Sequence, residues 1–168
     1  MQNYRTGTFV SVMSEAKISS TLLQNPGPLL SRLVAAQRLE EEAVQYPQIE
    51  KWADALISCA NQLPGCLIWP VGAPAERIAG VAVARARGLV DVGLWNASIE
   101  GRTVLVFAVA GVTPLSVMLA AEQLRRRGAG DVQACGVAIS GLAEAEGIHS
   151  FRLIADDLAA HPVSPVAA

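Results

Sequence analysis

This chain is poor in charge, in aromatic rings and in the side chains that carry most enzyme chemistry. Of its 168 residues only 17% are charged and 5% aromatic, with two histidines and three cysteines. No apolar run reaches the roughly 18 to 20 residues of a membrane-spanning helix. Met1 to Val12 is polar and lacks the apolar centre of a secretory signal, so a cytoplasmic protein is expected. Cys59, Cys66 and Cys135 are odd in number and show no metal-ligand spacing, which predicts buried thiols acting as small hydrophobes. His149 and His161 lie far from any cysteine pair, which argues against zinc. Neither histidine sits in a recognisable catalytic pair, and Ser11, Ser14 and Ser140 have no partner that would make them nucleophiles. A net charge of −2 and a pI near 5.7 argue against a general nucleic-acid binder. The longest basic run, Arg125-Arg-Arg127, falls at a helix C-terminus, where cations offset the dipole. There is no internal repeat.

What the chain has instead is apolar surface. Hydrophobic residues make up 52% of it. One domain of this length buries a full core, and the low charge leaves apolar groups outside as well. That balance predicts a homo-oligomer, a dimer in the simplest case, or a protein partner.

Breaker residues divide the chain. Residues 1–27 read as a polar, partner-docked or mobile arm ending in the cluster Asn25-Pro-Gly-Pro28. A helix follows from Leu29 to Val44, with an apolar stripe at Leu30, Leu33, Val34 and Leu39 and a solvated side at Glu40-Glu-Glu42. After Tyr46-Pro47 a second helix runs from Gln48 to about Gln62, with Ile49, Trp52, Ala53, Leu56 and Ile57 on one face. Strand and helix then alternate. The strands are Cys66–Trp69, Leu89–Trp95, Thr103–Val109, Val132–Ile139 and a final Phe151–Ile154; the helices are Ala75–Arg87 and Leu115–Arg127. Continuous apolar strands between helices predict a parallel sheet covered on both faces. The folded domain spans residues 28–160, and 161–168 form a Pro-containing tail.

The stretch Val104-Leu-Val-Phe-Ala-Val-Ala-Gly-Val-Thr-Pro-Leu-Ser-Val117 concentrates the functional information. A strand runs into a small-residue turn and directly into a helix, the arrangement in which unpaired N–H groups and a helix dipole converge on one spot. Gly111, Val112, Thr113 and Ser116 are the candidate ligand-binding residues here. Gly72 in the turn Pro70-Val-Gly-Ala-Pro74 joins them, as does Arg77, although a surface role suits an exposed helix arginine equally. No acid stands at the strand end and no lysine in the turn. Trp52 is expected in the core. Trp69 and Trp95 end two strands on the ligand side of an open sheet, where each either stacks on a base or plugs an empty pocket. Glu76 suits the first turn of its helix, and Asp156-Asp157 suit a helix N-cap.

From about Trp52 to Leu158 this order resembles the type I phosphoribosyltransferases, orotate phosphoribosyltransferase above all. That family's signature is an apolar strand, two adjacent acids, a Thr-Thr-Gly-x-Thr loop and a helix like Ala120-Ala-Glu-Gln-Leu-Arg-Arg-Arg-Gly-Ala129. The pyrophosphate loop and its helix are similar to Pro70–Gly88, and the closing strand is similar to Gly147–Leu158, including Leu-Ile-Ala-Asp-Asp-Leu. The resemblance implies a three-layer α/β sandwich with a mainly parallel sheet, with extra N-terminal helices in place of, or beside, the family's hood.

The departures from that pattern predict the function. The family's two acids hold the ribose hydroxyls and help organise magnesium, and they align with Ala108 and Val109; Pro114 replaces the loop glycine. Losing both carboxylates removes several kcal/mol of transition-state stabilisation, on the order of a thousandfold in rate. The family's long basic lid aligns with Asn96-Ala-Ser-Ile-Glu-Gly101, a hairpin-length turn without a base. No catalytic residue, metal or cofactor is therefore expected, and the chain reads as a pseudoenzyme: an oligomeric scaffold, a regulatory subunit or a sensor of a phosphorylated small molecule. The alternative is an active, magnesium-dependent phosphoribosyltransferase acting on a nucleobase.

Overall fold

The computed structural model describes residues 26–88, 91–93, 97–139 and the backbone of 149–152. The N-terminal arm, Trp95, Ser140, Asp156-Asp157, His161 and the tail lie outside them. Among the described residues four helices and five strands follow one another as α1 (Pro26–Ala43), α2 (Gln48–Asn61), β1 (Leu67–Pro70), α3 (Ala73–Ala86), β2 (Asp91–Val92), β3 (Thr103–Gly111), α4 (Leu115–Arg126), β4 (Asp131–Ile139) and β5 (His149–Arg152).

All five strands are parallel, in the order β2-β1-β3-β4-β5. The centre of the sheet is β3, an unbroken apolar run buried from Val104 to Val109 because both of its faces are covered. Leu105, Phe107 and Val109 join Ile68, Cys135 and Val137 beneath α2 and α3, while Val104, Val106 and Ala108 join Leu67, Val132 and Ala134 beneath α4. The result is the expected three-layer α/β sandwich.

Local chemistry sets the helix ends and faces. In α2, Trp52, Ala53, Leu56, Cys59 and Ala60 share the buried face, and Pro64-Gly65 ends the helix with Gly65 at φ +71°. The α3 face is nearly all alanine (Ala75, Ala79, Ala82 and Ala86, with Ile78), so the helix lies close to the sheet. It starts after Gly72, whose φ of +89° favours glycine, with Pro74 in the first turn. Arg85 ties α3 to α2 through ion pairs with Asp54 (2.8 Å) and Glu50 (3.0 Å).

Three expectations need correction. The connection ahead of β3 is not a hairpin: β2 and β3 lie on opposite sides of β1, so the chain crosses over the α4 face. Its described part is fastened down, with Ile99 buried, Arg127 donating to the Ala97 carbonyl (3.3 Å) and the Gly101 amide donating to Gly128 O (2.8 Å). Second, β3 runs two residues beyond Val109, to Gly111, because β4 pairs with it that far. Third, α1 turns its alanines inward. Ala35 and Ala36 cluster with Ala138, and Leu39, Ala110 and Val112 pack against that cluster, while Leu30, Leu33 and Val34 remain 51%, 43% and 42% exposed. The small side chains let α1 lie across the protruding ends of β3 and β4.

Candidate functional site at the carboxyl end of the sheet

The connections from β1 and β3 leave in opposite senses: α3 leads back across one face to β2, and α4 leads across the other face to β4. Between the carboxyl ends of β1 and β3 the topology therefore opens a crevice, the place where open α/β sheets bind ligands. The Val71 amide donates to Phe107 O (2.8 Å) and closes the β1 side of it. Beyond that point β3 continues alone beside β4, with α1 alongside.

There an open groove of about 550 Å³ is bounded by α1 from Leu30 to Glu40 and by Ala110–Thr113, Leu115 and Ser116. The structure brings four of the predicted ligand residues together here: Gly111, Val112, Thr113 and Ser116. Gly72 and Arg77 do not line the groove; Gly72 caps the start of α3 and Arg77 lies within α3, and both are exposed. The N-terminus of α4 faces it without a side-chain cap on its first residue, Pro114 holding the N-cap position. Thr113 Oγ1 accepts from the Leu115 amide at a long 3.5 Å. The remaining first-turn amides have no partner within the helix.

The other components were not legible as site residues. Leu30, Leu33, Val34 and Gln37 reach the groove only because α1 crosses the sheet end, some eighty residues away in sequence from α4. Glu40, expected on a solvated side, is half-buried against the groove, and loss of water there raises its carboxyl above the usual range. Among the described residues lining the groove none is basic.

Ala108 and Val109 do not reach the groove. Both are buried, Ala108 on the α4 side and Val109 on the α3 side of the sheet, and neither carries a side-chain oxygen. Among the described residues no group of three or more His, Cys, Asp or Glu side chains is arranged to hold a metal ion. Trp69 sits at mid-sheet, paired with Val106, with its ring against Gly93 and the Arg127 guanidinium 5.1 Å from the ring centroid. It packs against the core on the α4 side of the sheet. The three thiols are all buried in the core, and loss of water raises the pKa of each, Cys135 most.

No protein-family model matches the chain, and no curated protein matches it by sequence. Solved structures do resemble it. One is a Neisseria gonorrhoeae protein with bound ppGpp (13% identical, TM-score 0.49, covering 66% of this chain and 80% of that one). Another is orotate phosphoribosyltransferase from Aeropyrum pernix (17%, TM-score 0.47, 65% and 71%). A third is a hypoxanthine-guanine phosphoribosyltransferase from Bacillus anthracis (11%, TM-score 0.44, 54% and 65%), of which the match spans less than two thirds. Among the described residues no helix is long and apolar enough to cross a membrane.

Proposed function

We propose that this chain is a non-catalytic binding domain, a phosphoribosyltransferase-like fold acting as an oligomeric scaffold or regulatory subunit through the groove at the carboxyl end of its sheet. The observation that carries this reading is the make-up of the strand end. Where transfer of ribose 5-phosphate would need carboxylates to hold a diol and screen an oxocarbenium ion, the chain has Ala108 and Val109 sealed in the core. Magnesium, which the transferase alternative requires, does not fit the residues present. Among the described residues the one carboxylate at the groove, Glu40, comes from α1, and a single half-buried carboxylate is not a chelating set. The described part of the crossover, pinned through Ile99, Ala97 and Gly101, is not free to close as a lid.

The walls favour an apolar occupant over a phosphate. Leu30, Leu33, Val34, Val112 and Leu115 dominate the lining, and Glu40 repels an anion. The feature on the other side is the α4 N-terminus with the Thr113 and Ser116 hydroxyls, which supports the phosphate-sensor reading. Titration calorimetry with phosphoribosyl pyrophosphate, ribose 5-phosphate and nucleotides separates the two. No binding heat at millimolar ligand is expected. Heat that disappears in Thr113→Ala and Ser116→Ala would replace the scaffold with a phosphate sensor.

A further inference from the structure

The groove at the carboxyl end of the sheet suits one kind of occupant. Leu30, Leu33 and Val34 of α1 are about half exposed and line it together with Val112 and Leu115. Contiguous apolar surface of this kind marks a contact. On the other wall the first-turn amides of α4 offer hydrogen-bond donors, while Glu40 repels an anion. These features together fit an uncharged stretch of polypeptide in extended form. Its side chains cover the apolar wall, its carbonyls accept from the amides, and a cation beside it meets the carboxylate.

The chain carries such a stretch. Residues 1–25 enter α1 at Pro26, about one helical turn, roughly 6 Å, before Leu30. Two apolar clusters interrupt that polar arm, Phe9-Val-Ser-Val-Met13 and Leu22-Leu23. Leu22 and Leu23 stand too few residues before Pro26 to turn back along the groove. Residues 9–13 have the length to do so: the twelve residues between Met13 and Pro26 reach up to about 40 Å when extended. The groove wall from Leu30 to Glu40 is only about 15 Å long. Five extended residues span about 16 Å, so the cluster matches the wall, and its Phe and Val residues favour extended backbone.

The charges fix the direction. An arm that turns back from Pro26 passes Leu30 first and approaches Glu40 as its residue numbers fall. Arg5 then comes to the end of α1 marked by Glu40, Glu41 and Glu42.

We infer that residues 9–13 of this chain occupy its own groove as an extended segment antiparallel to α1, with Arg5 at the Glu40-Glu-Glu42 end. The inference rests on the binding role proposed for the groove and names what fills it first: an external partner gains the groove only by displacing the arm. Tethering supplies a local concentration in the millimolar range, so even a weak contact is well populated.

Hydrogen exchange followed by mass spectrometry on the full chain tests it. The amides of residues 9–13 are expected to exchange at least about tenfold more slowly than in a free peptide of the same sequence, at a rate independent of protein concentration. Leu33→Asp, on the exposed groove wall, and Phe9→Asp, in the arm itself, are each expected to abolish that protection while β3 stays as protected as in wild type. Arg5→Glu is expected to reduce the protection about two- to fivefold, and Arg5→Glu/Glu40→Arg to restore it. Exchange of residues 9–13 at the free-peptide rate, protection that survives Leu33→Asp, or a charge swap that restores nothing would each overturn the proposal. Protection that rises with protein concentration would also overturn it, and would put a second copy in the groove instead. Turnover of phosphoribosyl pyrophosphate would refute the non-catalytic reading alone and would leave the exchange pattern unaltered.

Discussion

Placing an acid at Val109 tests whether that position is part of the core or an open lip of the groove. Val109 is 1% exposed and packs among Leu105, Phe107 and the α2–α3 cluster. Val109→Asp removes about 1.5 kcal/mol of apolar burial. It also places a carboxyl in apolar surroundings, where a rise of about 3 pKa units costs about 4 kcal/mol at neutral pH. The total, about 5.5 kcal/mol, rivals the whole stability of a typical domain. The sign of the pH dependence follows from the raised folded-state pKa. The folded variant holds its proton more tightly than the unfolded chain, so stability falls as pH rises past the ordinary carboxylate range and recovers below about pH 4. Val112→Asp, at the half-buried groove wall, is expected to cost under about 1.5 kcal/mol, because water reaches the carboxylate there. Urea unfolding of both variants and wild type, at one protein concentration and at two pH values, measures the difference. A Val109→Asp penalty below about 1 kcal/mol, independent of pH, would refute the burial argument and reopen the strand end as a place for carboxylates.

Other consequences can be measured on the same protein. A Cβ at Gly93 would come within 2.5 Å of the Trp69 ring, so Gly93→Ala is expected to lose about 1–3 kcal/mol and to shift Trp69 fluorescence; an unchanged urea midpoint would contradict the contact. Arg85→Ala removes the exposed links to Asp54 and Glu50, and only a small loss of stability, shrinking in high salt, is expected. A larger, salt-insensitive loss would mean that the α2–α3 contact depends on Arg85 for more than charge. Cys59, Cys66 and Cys135 are buried with raised thiol pKa values, so a thiol reagent at neutral pH should label none of them in the native chain and all three in urea. Fast labelling of the native protein would show that the core opens readily.

The layers were legible in the sequence because they follow from composition and period. The unbroken apolar run of β3 signals burial on both faces, and the alanine-rich α3 signals close packing on a sheet. Strand order is another matter. Six residues ahead of β3 look the same whether they turn back as a hairpin or cross over β1, because register is decided by long-range pairing. In α1 the sequence holds two periodic faces, Leu30–Leu33–Val34 and Ala35–Ala36–Leu39–Ala43, and periodicity alone does not choose between them. Close packing against β3 and β4 selected the smaller residues. That choice turned the larger ones outward and brought Glu40 to a groove whose other wall, Thr113 to Ser116, was visible from the strand–turn–helix pattern alone.

The central claim, that the strand end cannot support transfer of ribose 5-phosphate, is tested most directly by pyrophosphate release from phosphoribosyl pyrophosphate with excess magnesium, offered each common purine and pyrimidine base in turn. The account predicts release no faster than in protein-free solution for every base. Base-dependent release that saturates with substrate and scales with protein concentration would contradict it.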